Sequence, residues 1–114
     1  MTLQEMLEPV VKAPGVLGSV IVSREDGLVV AGSFQGHVNG PAVAALAASL
    51  ARRAGSLADA LHQPEAAIIE LVGGDGTLLA APARAGLLLV VVTSPGANPV
   101  PAREELLRLA DRVG

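Results

Sequence analysis

The chain has no cysteine, no tryptophan and no tyrosine, and Phe34 is its one aromatic residue. Without cysteine there is no disulfide framework, no thiol nucleophile and no thiolate metal ligand, which fits a reducing compartment. Without aromatics there is no platform on which nucleobases stack, and the core has to be built from Leu, Val, Ile and Ala. Basic runs are missing too. Lys12 is the sole lysine, and a formal net charge of −3 is spread over 114 residues. No stretch can neutralise a row of phosphates, so nucleic-acid binding is not expected. The longest strongly apolar run, residues 87–92, falls far short of a membrane span. Met1, Thr2, Leu3, Gln4 and Glu5 carry neither the basic nor the apolar block of a signal peptide. A cytoplasmic protein with no membrane insertion is expected, folded as a single domain over residues 1–114.

What is present is a set of apolar runs punctuated by turns. Thr2 and Glu5 have the spacing of a capping box, and Leu3, Met6, Leu7 and Val10 share one helical face up to Pro14 and Gly15. Val16–Ser23 reads as a strand with Val16, Val20 and Val22 on one side and Leu17 and Ile21 on the other. Apolar residues on both faces predict a central strand. Arg24, Glu25, Asp26 and Gly27 turn the chain, since Asp-Gly supplies the backbone angles of a tight hairpin, and residues 28–33 return antiparallel. A loop over 34–40 leads to a long helix that opens at Pro41 and runs to about residue 61. After Gln63 and Pro64, a strand over 66–72, a turn at Gly73, Gly74, Asp75 and Gly76, and a strand over 77–82 form a second hairpin. Leu87–Thr93 is apolar throughout and predicts another central strand. Asn98 and Pro99 start a last helix that buries Ala102, Leu106, Leu109 and Val113, with Glu104 placed to pair with Arg108. The order is α-β-β-α-β-β-β-α. Short turns between strands make this an α+β protein with a five-stranded antiparallel sheet and helices on both faces.

No catalytic constellation accompanies this pattern. The glycine-rich turn at residues 73–76 lacks the lysine of a Walker loop and leads into a strand, so it is a hairpin turn. His37 and His62 stand apart without a second ligand at metal spacing. Ser23, Ser33 and Ser94 have no base in view and no nucleophile elbow surrounds them. No cofactor, metal or catalytic residue is expected, and the chain is not expected to be an enzyme.

The long helix carries three stripes. Val43, Ala47, Leu50, Ala54, Leu57 and Leu61 are expected to face the sheet. Beside them run Ala44, Ala48, Ala51, Gly55 and Ala58, a ridge of small residues that would let a second helix approach closely. The plainer account of that ridge is composition, since alanine is the best helix former. Arg52, Ser56 and Asp59, with Arg53 beside them, are expected to meet water or a partner. In the strand over 66–72, Ile69 and Leu71 share one face, Ile68 and Glu70 the other, and a charge within an apolar strand suits a sheet edge.

The residues 14–23 (PGVLGSVIVS), 26–31 (DGLVVA), the Ala-rich helix at 44–50, Ile69 and Glu70, 76–79 (GTLL) and the 87–92 strand together resemble the Roadblock/dynein light chain family, and its bacterial gliding-regulator, MglB-like branch in particular. The resemblance implies a profilin-like fold with the terminal helices on one face of the sheet and the long helix on the other. It further implies a homodimer in which the long helices pack together and the third strands pair into a continuous sheet. On that account Ala44, Ala48, Ala51, Gly55, Ala58, Ile68 and Glu70 would form the dimer interface. Arg52, Arg53, Ser56 and Asp59 would form much of the partner-binding face. The implied partner is a Ras-like small GTPase, whose nucleotide switch such dimers modulate, and some bacterial members stimulate hydrolysis by remodelling the GTPase. A small-ligand sensor on the same sheet, or an architectural subunit of a larger complex, are the alternatives.

Overall fold

A computed structural model describes residues 1–113. Two short helical turns, α1 (Leu3–Met6) and α2 (Glu8–Val11), precede β1 (Val16–Ser23) and β2 (Val29–Phe34). The long helix α3 (Gly40–Ala60) leads to β3 (Ile69–Gly73), β4 (Gly76–Pro82), β5 (Leu87–Thr93) and the last helix α4 (Val100–Arg112). The five strands form one sheet in the order β2-β1-β5-β4-β3, every neighbouring pair antiparallel. β1 and β5 lie inside it, as their doubly apolar sequences require, and β2 and β3 are the two edges.

The sheet separates two cores. On one face Leu7 between α1 and α2, Val10 of α2, Ala102, Leu106 and Leu109 of α4 and its C-terminal cap Val113 pack against Ile21, Leu79, Leu89 and Val91. On the other α3 supplies Ala44, Ala47, Ala48 and Ala51 against Val20, Val22, Leu88 and Val90. The large side chains of this second core stand on the sheet. The helix contributes small ones, which lets its backbone lie close to the strands.

Three expectations need correction. The first helix is two separate turns, because Pro9 has no N–H to give to the Glu5 carbonyl; Leu7 N instead donates to Gln4 O at 3.3 Å. The Thr2 cap itself forms, with Glu5 N donating to Thr2 Oγ1 at 3.1 Å. Val16 lies with Ile21 in the core of the terminal helices, not with Val20 and Val22. The β1–β5 register shifts between Val16 and Gly18, so Leu17 is an extra residue that reverses the alternation. The third concerns α3. Ala44, Ala48 and Ala51 of the small-residue ridge, expected to meet a second helix, pack on the sheet, and Leu57 and Leu61 of the stripe expected to face the sheet are open.

Local chemistry sets the joints between these elements. Asn39 caps α3, its Oδ1 accepting from Ala42 N at 3.1 Å. Asp26 Oδ1 accepts from Leu28 N at 3.0 Å in the first hairpin, where Gly27 has φ +71°. A Cβ on Gly27 would sit 3.4 Å from Ala45 Cα, so that turn is packed against α3. Asn98 Oδ1 accepts from Val100 N at 3.1 Å at the entry to α4.

Candidate functional site

The surface most different from an ordinary solvated one lies where α3 borders β3. Leu46, Leu57 and Leu61 of α3 are 67%, 61% and 58% exposed, and Leu71 of β3 is 56% exposed. Their helical spacing, with half-buried Val43 and Leu50, makes one apolar strip along α3. Two shallow grooves join that strip to the sheet edge. One runs between Val43 and Leu71 above the turn at Gly74 and Asp75. The other runs between Leu57, Leu61 and Ile69. β3 has a neighbour on one side only, so its outer N–H and C=O groups face away from the sheet. An apolar strip beside an unpaired strand edge has the chemistry that suits a protein-docking surface.

The residues assigned to the dimer interface divide among three places. Ala44, Ala48 and Ala51 are 0%, 1% and 4% exposed and belong to the core of their own subunit. Gly55 and Ala58 are half-buried further along α3. Ile68 and Glu70 lie on the opposite face of the sheet. Ile68 packs against the core of the terminal helices, and Glu70 Oε2 accepts from Arg103 Nη2 of α4 at 2.8 Å. The carboxylate is thus held over α4 rather than across the outer edge of β3. Arg52, Arg53, Ser56 and Asp59 are all exposed on α3, as expected. Ser56 Oγ donates to Arg52 O at 3.1 Å, and neither arginine takes an ion-pair partner among the described residues. Among the described residues nothing competes for their guanidinium groups, whose chemistry suits a carboxylate.

Sequence reasoning missed the leucine strip as surface. Its signal was present, since Leu46 fell outside every stripe expected to be buried. His37 and His62 are both exposed. Among the described residues no three His, Cys, Asp or Glu side chains gather as a metal site would require. No helix among them is long and apolar enough to cross a membrane. Every buried side-chain polar atom of the described residues has a hydrogen-bond partner, including Ser19, whose Oγ donates to Val90 O at 2.7 Å.

The sequence model of the Roadblock/LC7 domain family matches residues 2–93. No curated protein matches the chain at a significant level. Among solved structures, a Roadblock/LC7 domain from Streptomyces avermitilis superposes with a TM-score of 0.87 at 21% identity, covering 99% of this chain and 95% of that one. MglB of Myxococcus xanthus superposes with a TM-score of 0.83 at 16% identity, covering 95% of this chain and 88% of that one. A Schizosaccharomyces pombe profilin superposes with a TM-score of 0.67 at 19% identity, covering 97% and 95%. At these identities the likeness is one of fold, and the fold is profilin-like. The matches to whole structures extend over α4, which lies beyond the range of the family model.

Proposed function

We propose that this chain, which belongs to the Roadblock/LC7 domain family, is a non-catalytic homodimeric regulator of a Ras-like small GTPase. The observation that carries the reading is the leucine strip of α3 running beside the unpaired edge of β3. A second copy placed about a two-fold axis covers both features at once. The β3 edges pair, and Leu46, Leu50, Leu57 and Leu61 of the two long helices meet across the axis. Continuation of the sheet satisfies the outer backbone groups of β3. Burial of the leucines supplies the apolar driving force. This arrangement keeps the family's strand-and-helix contact but moves it from the alanine ridge to the leucine strip.

The two α3 helices would then present Arg52, Arg53, Ser56 and Asp59 of both subunits on one shared face. A GTPase docks there through acidic and polar groups near its switch segments. No chemistry is required of this chain. A dimer that binds one nucleotide state of the GTPase more tightly shifts the switch towards that state, and one that binds both states equally shifts nothing.

The test is to bind the purified chain to Ras-like GTPases encoded in the same genome, each loaded with GDP or with a non-hydrolysable GTP analogue. Preferential binding to one loaded state, weakened in the variant carrying both Arg52→Ala and Arg53→Ala, is the expected result. Equal binding to both states would leave only an architectural role. Binding to none of them, with stabilisation by a small metabolite instead, would replace the regulator with a ligand sensor.

A further inference from the structure

At the second edge of the sheet one outward-facing position is occupied, and a single side chain occupies it. Gln4 Nε2 donates to Gly32 O at 2.8 Å, and Gly32 N donates to Gln4 Oε1 at 3.1 Å. A carboxamide has the donor and acceptor of a peptide group. Gln4 therefore gives Gly32 the pair of hydrogen bonds that a further strand would give. α1 brings it there: Thr2 caps the turn, and Leu3 and Met6 pack on the core beside Ala31 of β2.

One other device marks this edge: the β1–β2 register shifts between Ile21 and Val22, which leaves Val30 as an extra residue and bulges β2 there. Val29–Phe34 contains no charged residue and no proline, the usual means of discouraging strand addition. Gly32 pairs with Val20 of β1 through a position whose N–H and C=O turn outward, as its bonds to Gln4 require. By the alternation of a strand, Phe34 turns its own outward as well. The regular stretch 31–33 is self-complementary about Gly32. Antiparallel pairing of two β2 strands with Gly32 opposite Gly32 brings uncharged residues together, with the bulge at Val30 towards the Phe34 end of the other strand. It also sets Ala31 opposite Ser33. The absence of a side chain at the centre leaves no steric bar.

We infer that Gln4 is a stopper that confines self-association of this chain to the β3 edge, and that the surface it covers is a docking edge for β2 of a second copy. The symmetry makes the stopper consequential. A two-fold contact at β3 closes after two subunits. A second two-fold contact at β2 links such dimers into an open series with no natural end. The inference rests on the β3 dimer for that consequence alone. The occupancy of β2 by Gln4 stands without it.

The test compares wild-type protein, Gln4→Ala, and Gln4→Ala combined with Val30→Lys by light scattering across a concentration series. Wild type should keep one mass. Gln4→Ala should at least double that mass as concentration rises, and Val30→Lys should return it to the wild-type value by placing a charge on the edge. Amide exchange at Gly32 adds a readout independent of assembly. Protection present in wild type should be lost in dilute Gln4→Ala. A Gln4→Ala mass equal to wild type at every concentration overturns the inference, as does growth that Val30→Lys leaves intact, or a Gly32 amide that exchanges freely in wild type. A monomeric wild type that becomes a dimer in Gln4→Ala would uphold the stopper and remove the β3 dimer.

Discussion

The Phe34 ring occupies the space a side chain on Gly18 would need: a Cβ there would lie 2.3 Å from Phe34 Cδ1 and 2.9 Å from Phe34 Cα. A Cβ on Gly40 would lie 2.8 Å from Phe34 Cε2. The chain's one aromatic thus sits between two glycines, one on the neighbouring strand and one at the start of α3. Gly18→Ala is expected to destabilise the fold by about 1–3 kcal/mol, the usual range for overpacking a filled site. Thermal unfolding checks it. The backbone atom at 2.9 Å cannot rotate away, so an unchanged melting temperature would mean that β2 can shift bodily against β1.

How much of this architecture was legible depends on which forces decide each part. β1 and β5 were legible because runs such as Val20, Ile21 and Val22, or Leu88, Leu89 and Val90, have room only inside a sheet. Both hairpins followed from Asp26 and Gly27, and from the turn at Gly74 and Asp75. The facing of Val16 was not legible, since a bulge at Leu17 leaves no mark in the alternation. The break in the first helix was written in Pro9. The exchange of stripes on α3 was hidden for a different reason. Periodicity gives the spacing of a face but not its direction, and the face is chosen by the bulk already standing on the sheet at Val20, Val22 and Leu88. The bond between Gln4 and Gly32 joins residues 28 apart and had no sequence signal beyond a glycine inside a strand.

Helix α3 ends on a residue that its backbone does not suit. His62 has φ +56°; its N–H donates to Asp59 O at 3.1 Å, and Gln63 N donates to Ala58 O at 2.8 Å. These are the two bonds of a Schellman ending, in which the left-handed position favours glycine. His62→Gly is expected to raise stability by about 1 kcal/mol through release of the left-handed penalty. In a domain of this size the melting temperature should rise by about 4 °C. His62→Ala removes the same ring but keeps a Cβ, so it should gain little. Equal gains from both variants would place the effect in the imidazole and not in the backbone.

Leu57→Glu and Ala48→Glu should behave in opposite ways, although the residues lie on the same helix. Ala48 is buried beneath α3, and an unpaired carboxylate there is expected to cost about 3–5 kcal/mol and to unfold much of the protein. Leu57 is open to solvent in the subunit. Leu57→Glu should therefore leave the subunit folded, with native circular dichroism, while light scattering shows a monomer. A folded dimer in Leu57→Glu would exclude the leucine strip as the contact. A folded monomer in Ala48→Glu would restore the alanine ridge.

Arg103 holds Glu70 over α4, and that restraint bears on the edge strand next to Leu71. In a dimer joined through β3, the two copies of Glu70 approach the same axis, and each carries its own arginine. Arg103→Ala leaves both carboxylates without that partner. A partly exposed ion pair of this kind is worth roughly 0.2–1 kcal/mol, so the subunit's own stability should hardly change. Self-association should weaken by up to about fivefold, the equivalent of 1 kcal/mol, because like charges now face each other across the axis. Arg103→Lys, which keeps the positive charge, should recover most of the loss. Sedimentation at low and high salt separates the electrostatic effect from any packing change, since screening at high salt should bring Arg103→Ala back towards wild type. A dissociation constant that ignores both the substitution and the salt would place Glu70 away from the contact. The two-fold axis would then lie nearer Val72 and the glycine turn.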